Sequence, residues 1–291
     1  MFRARFTLAV LLLSLLPISQ SQAADVEFPG ERPFTLVLPN NYQAGNPAPL
    51  IIGLHGYTAE SPYAQSYFQL EKVADKKGIL TVYPSGSKDS NGYLFWNATP
   101  ACCNFDSSTV DDEAYLLSII DSVSKDYAVD PARIYIIGHS NGGFMAHRMA
   151  CNQSDRIAAI VSLSGMTYSN PKSCKPTSPV SVLQIHGTND AVISYTGGYL
   201  FSSAYPSARK TIDLWGKINE CGKKAYRVLP RLDLDRKLSG AETTVLRYKG
   251  CKTRATSELW TINKGKHSPE LSAKFADSVV SFLLSHPKKS A

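Results

Sequence analysis

Residues 133–144, Arg-Ile-Tyr-Ile-Ile-Gly-His-Ser-Asn-Gly-Gly-Phe, restrict the fold more than any other stretch of the chain. Ile134, Tyr135, Ile136 and Ile137 run without a polar break, as in a strand covered on both faces. The run stops at Gly138, and a helix-like pattern resumes around Phe144. Ser140 therefore sits at a sharp strand-to-helix turn, where bulkier flanking residues would clash. A strand apolar on both faces needs strands beside it and helices above and below.

The rest of the chain supplies them. Further apolar, β-rich runs occupy 34–38, 49–54, 79–84, 157–165, 179–187, 243–250 and 257–265. Helix-like segments lie between them at about 60–77, 111–127, 142–152, 207–219 and 269–285. Alternating βα units predict a single α/β domain with a mostly parallel central sheet flanked by helices. In 107–120, Thr109 with Asp112 resembles a capping box, and Asp111, Asp112 and Glu113 suit the positive end of a helix dipole. Capping is preferred there to a metal site, because no further ligands stand nearby.

The first 23 residues read differently. Arg3 and Arg5 precede a short apolar core at 8–16, and Ser21-Gln22-Ala23 places small residues at a cleavage site. The pattern is that of a secretory signal peptide, and the core is too short to span a bilayer. Expected organisation is thus a signal peptide, 1–23, and one domain, 24–291, exported to the extracellular space or periplasm. No membrane association is expected. A chain of this size buries roughly 70–75% of its unfolded surface, so one core suffices. The net charge of +7 is modest and scattered, with no basic stripe, so nucleic acid is not an expected partner. No signal bears on oligomeric state. The six cysteines, an even number in an exported chain, suggest disulfides. No Cys-x-x-Cys or His-x-x-x-His spacing suggests zinc, and neither metal nor organic cofactor is expected.

Gly138-His139-Ser140-Asn141-Gly142 fits Gly-x-Ser-x-Gly, the nucleophile elbow, in which strain lifts the hydroxyl clear of the sheet's carboxyl edge. Such elbows take their partners in the order serine, acid, histidine. His147 lies within the next helix, His186 precedes the best acid, and His286 lies in the C-terminal tail. His267, in a tight loop before the last helix, is the expected base; Ser268 is placed to cap that helix and Pro269 suits its first turn. Asp190, directly after the 179–187 strand, is preferred as the acid over Asp155, Asp213, Asp233 and Asp235. It would hold the imidazole in the right tautomer. The oxyanion donors should be the backbone N–H groups of Asn141 and Tyr57, the latter in the His55-Gly56-Tyr57 loop after an early strand. The His55 side chain is read as a brace for that loop.

These motifs, together with His-Gly-Tyr-Thr at 55–58, residues 95–116, Asp155–Gly165 and the 183–198 segment, resemble secreted α/β-hydrolases of the polyhydroxybutyrate depolymerase and feruloyl esterase type. The resemblance runs from about Phe34 to His267. It implies the α/β-hydrolase fold and a serine carboxylic-ester hydrolase using Ser140, Asp190 and His267 on polyhydroxybutyrate-type, feruloyl or acetyl esters. Many members carry Gly-His-x-Trp-Pro-Gly at the histidine; this chain has Gly265-Lys266-His267-Ser268-Pro269, without the tryptophan. Tyr57 and Trp96 are candidates to line an acyl or aromatic pocket, packing being the other reading for Trp96. A bond between adjacent Cys102 and Cys103 is strained, so each is expected to reach a distant partner, Cys151 and Cys174 being the candidates, while Cys221 and Cys251 pair. The competing readings are a secreted serine peptidase and a non-catalytic binding protein on a hydrolase scaffold.

Overall fold

The structure, a computed structural model, describes residues 25–288; the expected signal peptide lies outside the described residues. In chain order the elements are β1 (Asp25–Phe28), β2 (Phe34–Val37), β3 (Ala48–Leu54), α1 (Ser61–Phe68), α2 (Glu71–Lys77), β4 (Leu80–Pro84), β5 (Ser87–Lys88), β6 (Leu94–Phe95), α3 (Asp112–Asp126) and β7 (Val129–His139). They continue with α4 (Asn141–Asn152), β8 (Ala159–Leu163), β9 (Ser181–Gly187), β10 (Gly198–Leu200), β11 (Ser203–Tyr205), α5 (Ala208–Ile218), β12 (Ala225–Leu232), β13 (Thr243–Tyr248), β14 (Ser257–Ile262) and α6 (Ala273–Leu284).

Ten strands form one sheet in the order β1-β2-β4-β3-β7-β8-β9-β14-β13-β12. The six from β4 to β14 are parallel, and antiparallel pairs extend both edges. The unbroken apolar runs result from this placement, because successive side chains enter opposite layers. Leu50, Ile52, Ile134 and Ile136 pack with α3, α4 and α5 on one face. Ile51, Tyr135 and Ile137 pack with α1, α2 and α6 on the other. Each such fully buried aliphatic side chain contributes about 1.5–3 kcal/mol.

Local expectations shift in four places. The single helix expected over 60–77 is two, because Gln69 takes a left-handed conformation (φ 50°) and closes α1. Helix α3 is capped by Asp111, whose side chain accepts from Ala114 N (2.9 Å), and not by Thr109. Asp112 is instead buried, 2.6 Å from Arg32 and 2.6 Å from Asn97 N. Helix α6 starts four residues later than expected, with Ser272 and not Ser268 as its cap. Residues 270–272 are drawn away by backbone bonds to the 234–236 segment, Arg236 N to Glu270 O and Ser272 N to Leu234 O (both 2.8 Å). Strand β12 escapes sequence patterning because it is an exposed edge carrying Pro230, where a missing N–H costs no ladder bond.

The cysteine expectation needs correction. Cys221 pairs with Cys251 as expected. Cys151 and Cys174, however, bond to each other, and Cys102 bonds to Cys103. Cys151 ends α4 and Cys174 lies in a turn beyond β8; their Cα atoms stand 4.8 Å apart, within ordinary disulfide reach. With those two joined, the adjacent cysteines have only one another.

Candidate active site

The site is assembled at the carboxyl ends of β3, β7, β9 and β14. Strand β7 runs directly into Ser140, which takes φ 54°, ψ −119°, and α4 begins at Asn141. This conformation is rare for a residue with a side chain and marks a strained functional position. Ser140 N donates to Leu163 O of β8 (2.8 Å), and Ser140 O accepts from Phe144 N (3.0 Å), so both neighbours hold the turn. The flanking glycines are required: a Cβ on Gly138 would lie 2.1 Å from Gly142 O, and one on Gly142 would lie 2.4 Å from Leu54 O.

Three side chains far apart in sequence meet here. His267 Nε2 lies 2.9 Å from Ser140 Oγ, and its Nδ1 lies 2.8 Å from Asp190 Oδ2. Asp190 is buried in the loop after β9. Its Oδ1 accepts from Val192 N (2.9 Å) and Ile193 N (2.8 Å). Burial by itself would push this carboxyl up, but the hydrogen bonds and charge interactions with His186 and His267 outweigh it and hold the pKa well below the carboxylate range. The acid is therefore ionised and fixed. Three of the four other acids considered from sequence order serve elsewhere: Asp213 pairs with Arg209, Asp233 with Lys274, and Asp235 lies beside Lys237 N.

The remaining histidines divide by what they hold. His186 is fully buried, and its Nε2 lies 2.8 Å from Ile193 O and 3.1 Å from Asp190 Oδ2, a second imidazole on the acid. His139, immediately before Ser140, donates from Nε2 to His267 O (3.0 Å), and Ser164 Oγ donates to the same oxygen (2.8 Å). Burial, with the neighbouring imidazole of His267 next, pushes the His139 pKa down to about 3, so it stays neutral. No sequence signal marked His139, His186 or Ser164 for these contacts; only the fold brings them to the loop. His147 lies between Gln184 Oε1 (2.9 Å) and Trp215 Nε1 (3.1 Å), with burial lowering its pKa to about 4. His286 bonds to Phe282 O at the end of α6 and stays outside the site.

The loop after β3 passes beside the serine: a Cβ on Gly56 would lie 3.3 Å from Ser140 Cβ. His55 braces it, accepting from Gly86 N (2.8 Å) and donating from Nδ1 to Gly56 O (2.7 Å). Burial lowers its pKa to about 4 and keeps it neutral. The Asn141 side chain, also buried, bonds both backbone groups of Trp96 (2.7 and 3.0 Å). Trp96 is itself fully buried, donates to His55 O (3.1 Å), and cannot line a substrate pocket as the sequence suggested. Its indole fills the space under the loop. Tyr57 remains half-exposed at the site, its hydroxyl 2.5 Å from Asp89. Cavities of about 640 and 550 Å³ lie elsewhere, lined by residues such as Ala158, Lys288, Trp260 and Phe282, and touch none of these groups.

A known sequence profile, that described as Phospholipase/Carboxylesterase, matches residues 42–216 of the chain. The chain belongs to the phospholipase/carboxylesterase family. This phospholipase/carboxylesterase member is 27% identical over 239 residues to "Feruloyl esterase B" of Piromyces equi, covering 79% of this chain and 41% of that protein. It is 32% identical over 148 residues to "Bifunctional acetylxylan esterase/xylanase XynS20E" of Neocallimastix patriciarum, covering 51% and 20%. The chain thus spans less than half the length of either relative. Among solved structures, "Acetyl xylan esterase from Aspergillus awamori" superposes with a TM-score of 0.61 at 15% identity, covering 90% of this chain and 98% of that one. That likeness, with the strand order of the central sheet, makes the architecture the α/β-hydrolase fold expected from the motifs.

Proposed function

We propose that this chain is an exported serine esterase that cleaves carboxylic esters of the feruloyl or acetyl type. The observation that carries the reading is the continuous hydrogen-bonded line from Asp190 Oδ2 through His267 to Ser140 Oγ. His267 removes the Ser140 proton as the oxygen attacks the ester carbonyl. The oxyanion that forms is stabilised by the N–H groups of Tyr57 and Asn141, aided by the N-terminus of α4. Protonated His267, its charge balanced by Asp190, returns the proton to the departing alcohol. Water then attacks the acyl-serine with His267 again as base, releasing the acid and restoring Ser140.

The names of these two relatives support feruloyl and acetyl esters. Export is supported by the 1–23 leader pattern and by three disulfides. Cleavage after Ala23 would leave 24–291 as the catalytic domain. Ser140→Ala should abolish hydrolysis of p-nitrophenyl acetate and labelling by a fluorophosphonate probe while leaving the thermal midpoint unchanged. Retained turnover in that variant would sink the assignment.

A further inference from the structure

Four aromatic rings from four separate segments form a connected series that begins one residue from Gly56, the glycine packed against Ser140. Gly56 lies against Ser140, and the next residue, Tyr57, meets Tyr93 edge-on (6.2 Å between ring centres) and Phe105 edge-on (5.4 Å). Phe105 in turn meets Phe201 at 4.7 Å. Tyr93 precedes β6, Phe105 comes just after the Cys102–Cys103 pair, and Phe201 is the tip of the β10–β11 hairpin beyond the Asp190 loop. The chain of rings therefore reaches from the expected oxyanion loop to the hairpin after the acid. Tyr93 is 51% exposed, Phe105 42% and Phe201 82%. Single exposed rings are ordinary on a protein surface, but a contiguous set beside a reactive group marks a place where something docks.

Hydrogen bonds tie down the loops that carry Tyr57, Tyr93 and Phe105. Asp89 accepts from Asn91 N and Tyr93 N (both 2.9 Å) and from the Tyr57 hydroxyl. Asp106 accepts from Ser90 N (2.6 Å), and Asn104 closes its own loop onto Ser108 (2.7 Å to both backbone groups). A surface ordered before binding loses little entropy when a ligand arrives. The polar groups among the rings decide which ligand it suits. Asp89 and Asp106 are carboxylates at the rim, able to accept further hydrogen bonds. A polyester has no donors to offer them and would only desolvate them, at a net cost. A sugar chain offers flat C–H faces to the rings and hydroxyl donors to the carboxylates.

We infer that Tyr93, Tyr57, Phe105 and Phe201, with Asp89 and Asp106, form a docking surface for a neutral polysaccharide, the polymer that carries the ester. This rests on the esterase reading and names the carrier of its substrate. The test is co-sedimentation with insoluble xylan, performed in the Ser140→Ala background so that binding is read without turnover. Phe201→Ala and Phe105→Ala should each weaken adsorption about three- to tenfold, and the double variant more. Asp106→Asn should weaken xylan adsorption as well. Phe201 is a hairpin tip, so its loss leaves the core untouched. The inference is overturned if the parent does not sediment with xylan, if the ring variants adsorb like the parent, or if the parent prefers polyhydroxybutyrate granules or a peptide matrix to xylan. Wild-type hydrolysis of p-nitrophenyl acetate reads the esterase assignment separately, so the two failures are distinguishable.

Discussion

Replacing Gly142 by alanine tests how the serine and the oxyanion loop are held in register. The added methyl would lie 2.4 Å from Leu54 O and 2.6 Å from His55 O, both backbone atoms at the end of β3. Ordinary contact begins near 3.4 Å, so β3 and α4 must separate by about 1 Å. Overpacking of this kind costs about 1–3 kcal/mol, and the better helix propensity of alanine offsets at most about 1 kcal/mol. With the full offset, net destabilisation of about 0–2 kcal/mol should lower the thermal midpoint by at most about 8 °C. The larger effect falls on chemistry. His55 and Gly56 carry the Tyr57 N–H, so the shift moves this proposed oxyanion donor away from Ser140. A displacement of about 1 Å costs about 100-fold in rate. Gly142→Ala should therefore lower kcat/KM on p-nitrophenyl acetate about 100-fold while the protein stays folded by calorimetry. Gly30→Ala, which adds a methyl in open space, should change neither quantity. A Gly142→Ala enzyme within threefold of wild type would refute the idea that this contact sets the oxyanion geometry.

The histidines give two further expected outcomes. His186→Phe keeps a ring but removes the second donor on Asp190 Oδ2; steady-state kinetics should show kcat down about tenfold with KM nearly unchanged, and equal kcat would deny His186 any positioning role. His55, His139 and His147 have folded pKa values of about 4, 3 and 4 against 6.5 unfolded, so below pH 6.5 the unfolded chain binds protons that the folded one refuses. Stability should be full above pH 6.5 and fall progressively toward pH 4, by up to about 3 kcal/mol for His147 alone, as urea midpoints across that range will show. A flat profile would mean that the histidines are not buried neutral.

Much of the core of this fold is legible in the sequence because its signals are local. Eight apolar runs correspond to eight strands of the sheet, and for the central parallel strands burial on both faces leaves a hydrophobic run whatever the neighbours are. Strands β1 and β12 carry no such run because edge positions are half solvated. The break at Gln69 is invisible in the sequence because a left-handed residue is imposed by tertiary packing, here by the burial of its neighbour Leu70. The start of α6 is misread because Ser268 and Pro269 look like a cap and first turn, whereas tertiary bonds to 234–236 claim the backbone there.

At the site, the sequence by itself determined the elbow at Ser140 and the order in which an acid and a histidine had to come after it. Those are consequences of chain direction in a parallel sheet, where every strand ends on the same edge and each loop there can offer one side chain. Only the tertiary structure decided the contacts across strands. Strand order β7-β8-β9-β14 brings His139 and Ser164 under the His267 carbonyl and sets His186 against Asp190. The same packing buries Trp96, joins Cys151 to Cys174, and brings Tyr57, Phe105 and Phe201 into one ring-to-ring series. Distances between segments far apart in sequence depend on how the layers pack, and no local pattern of residues encodes them.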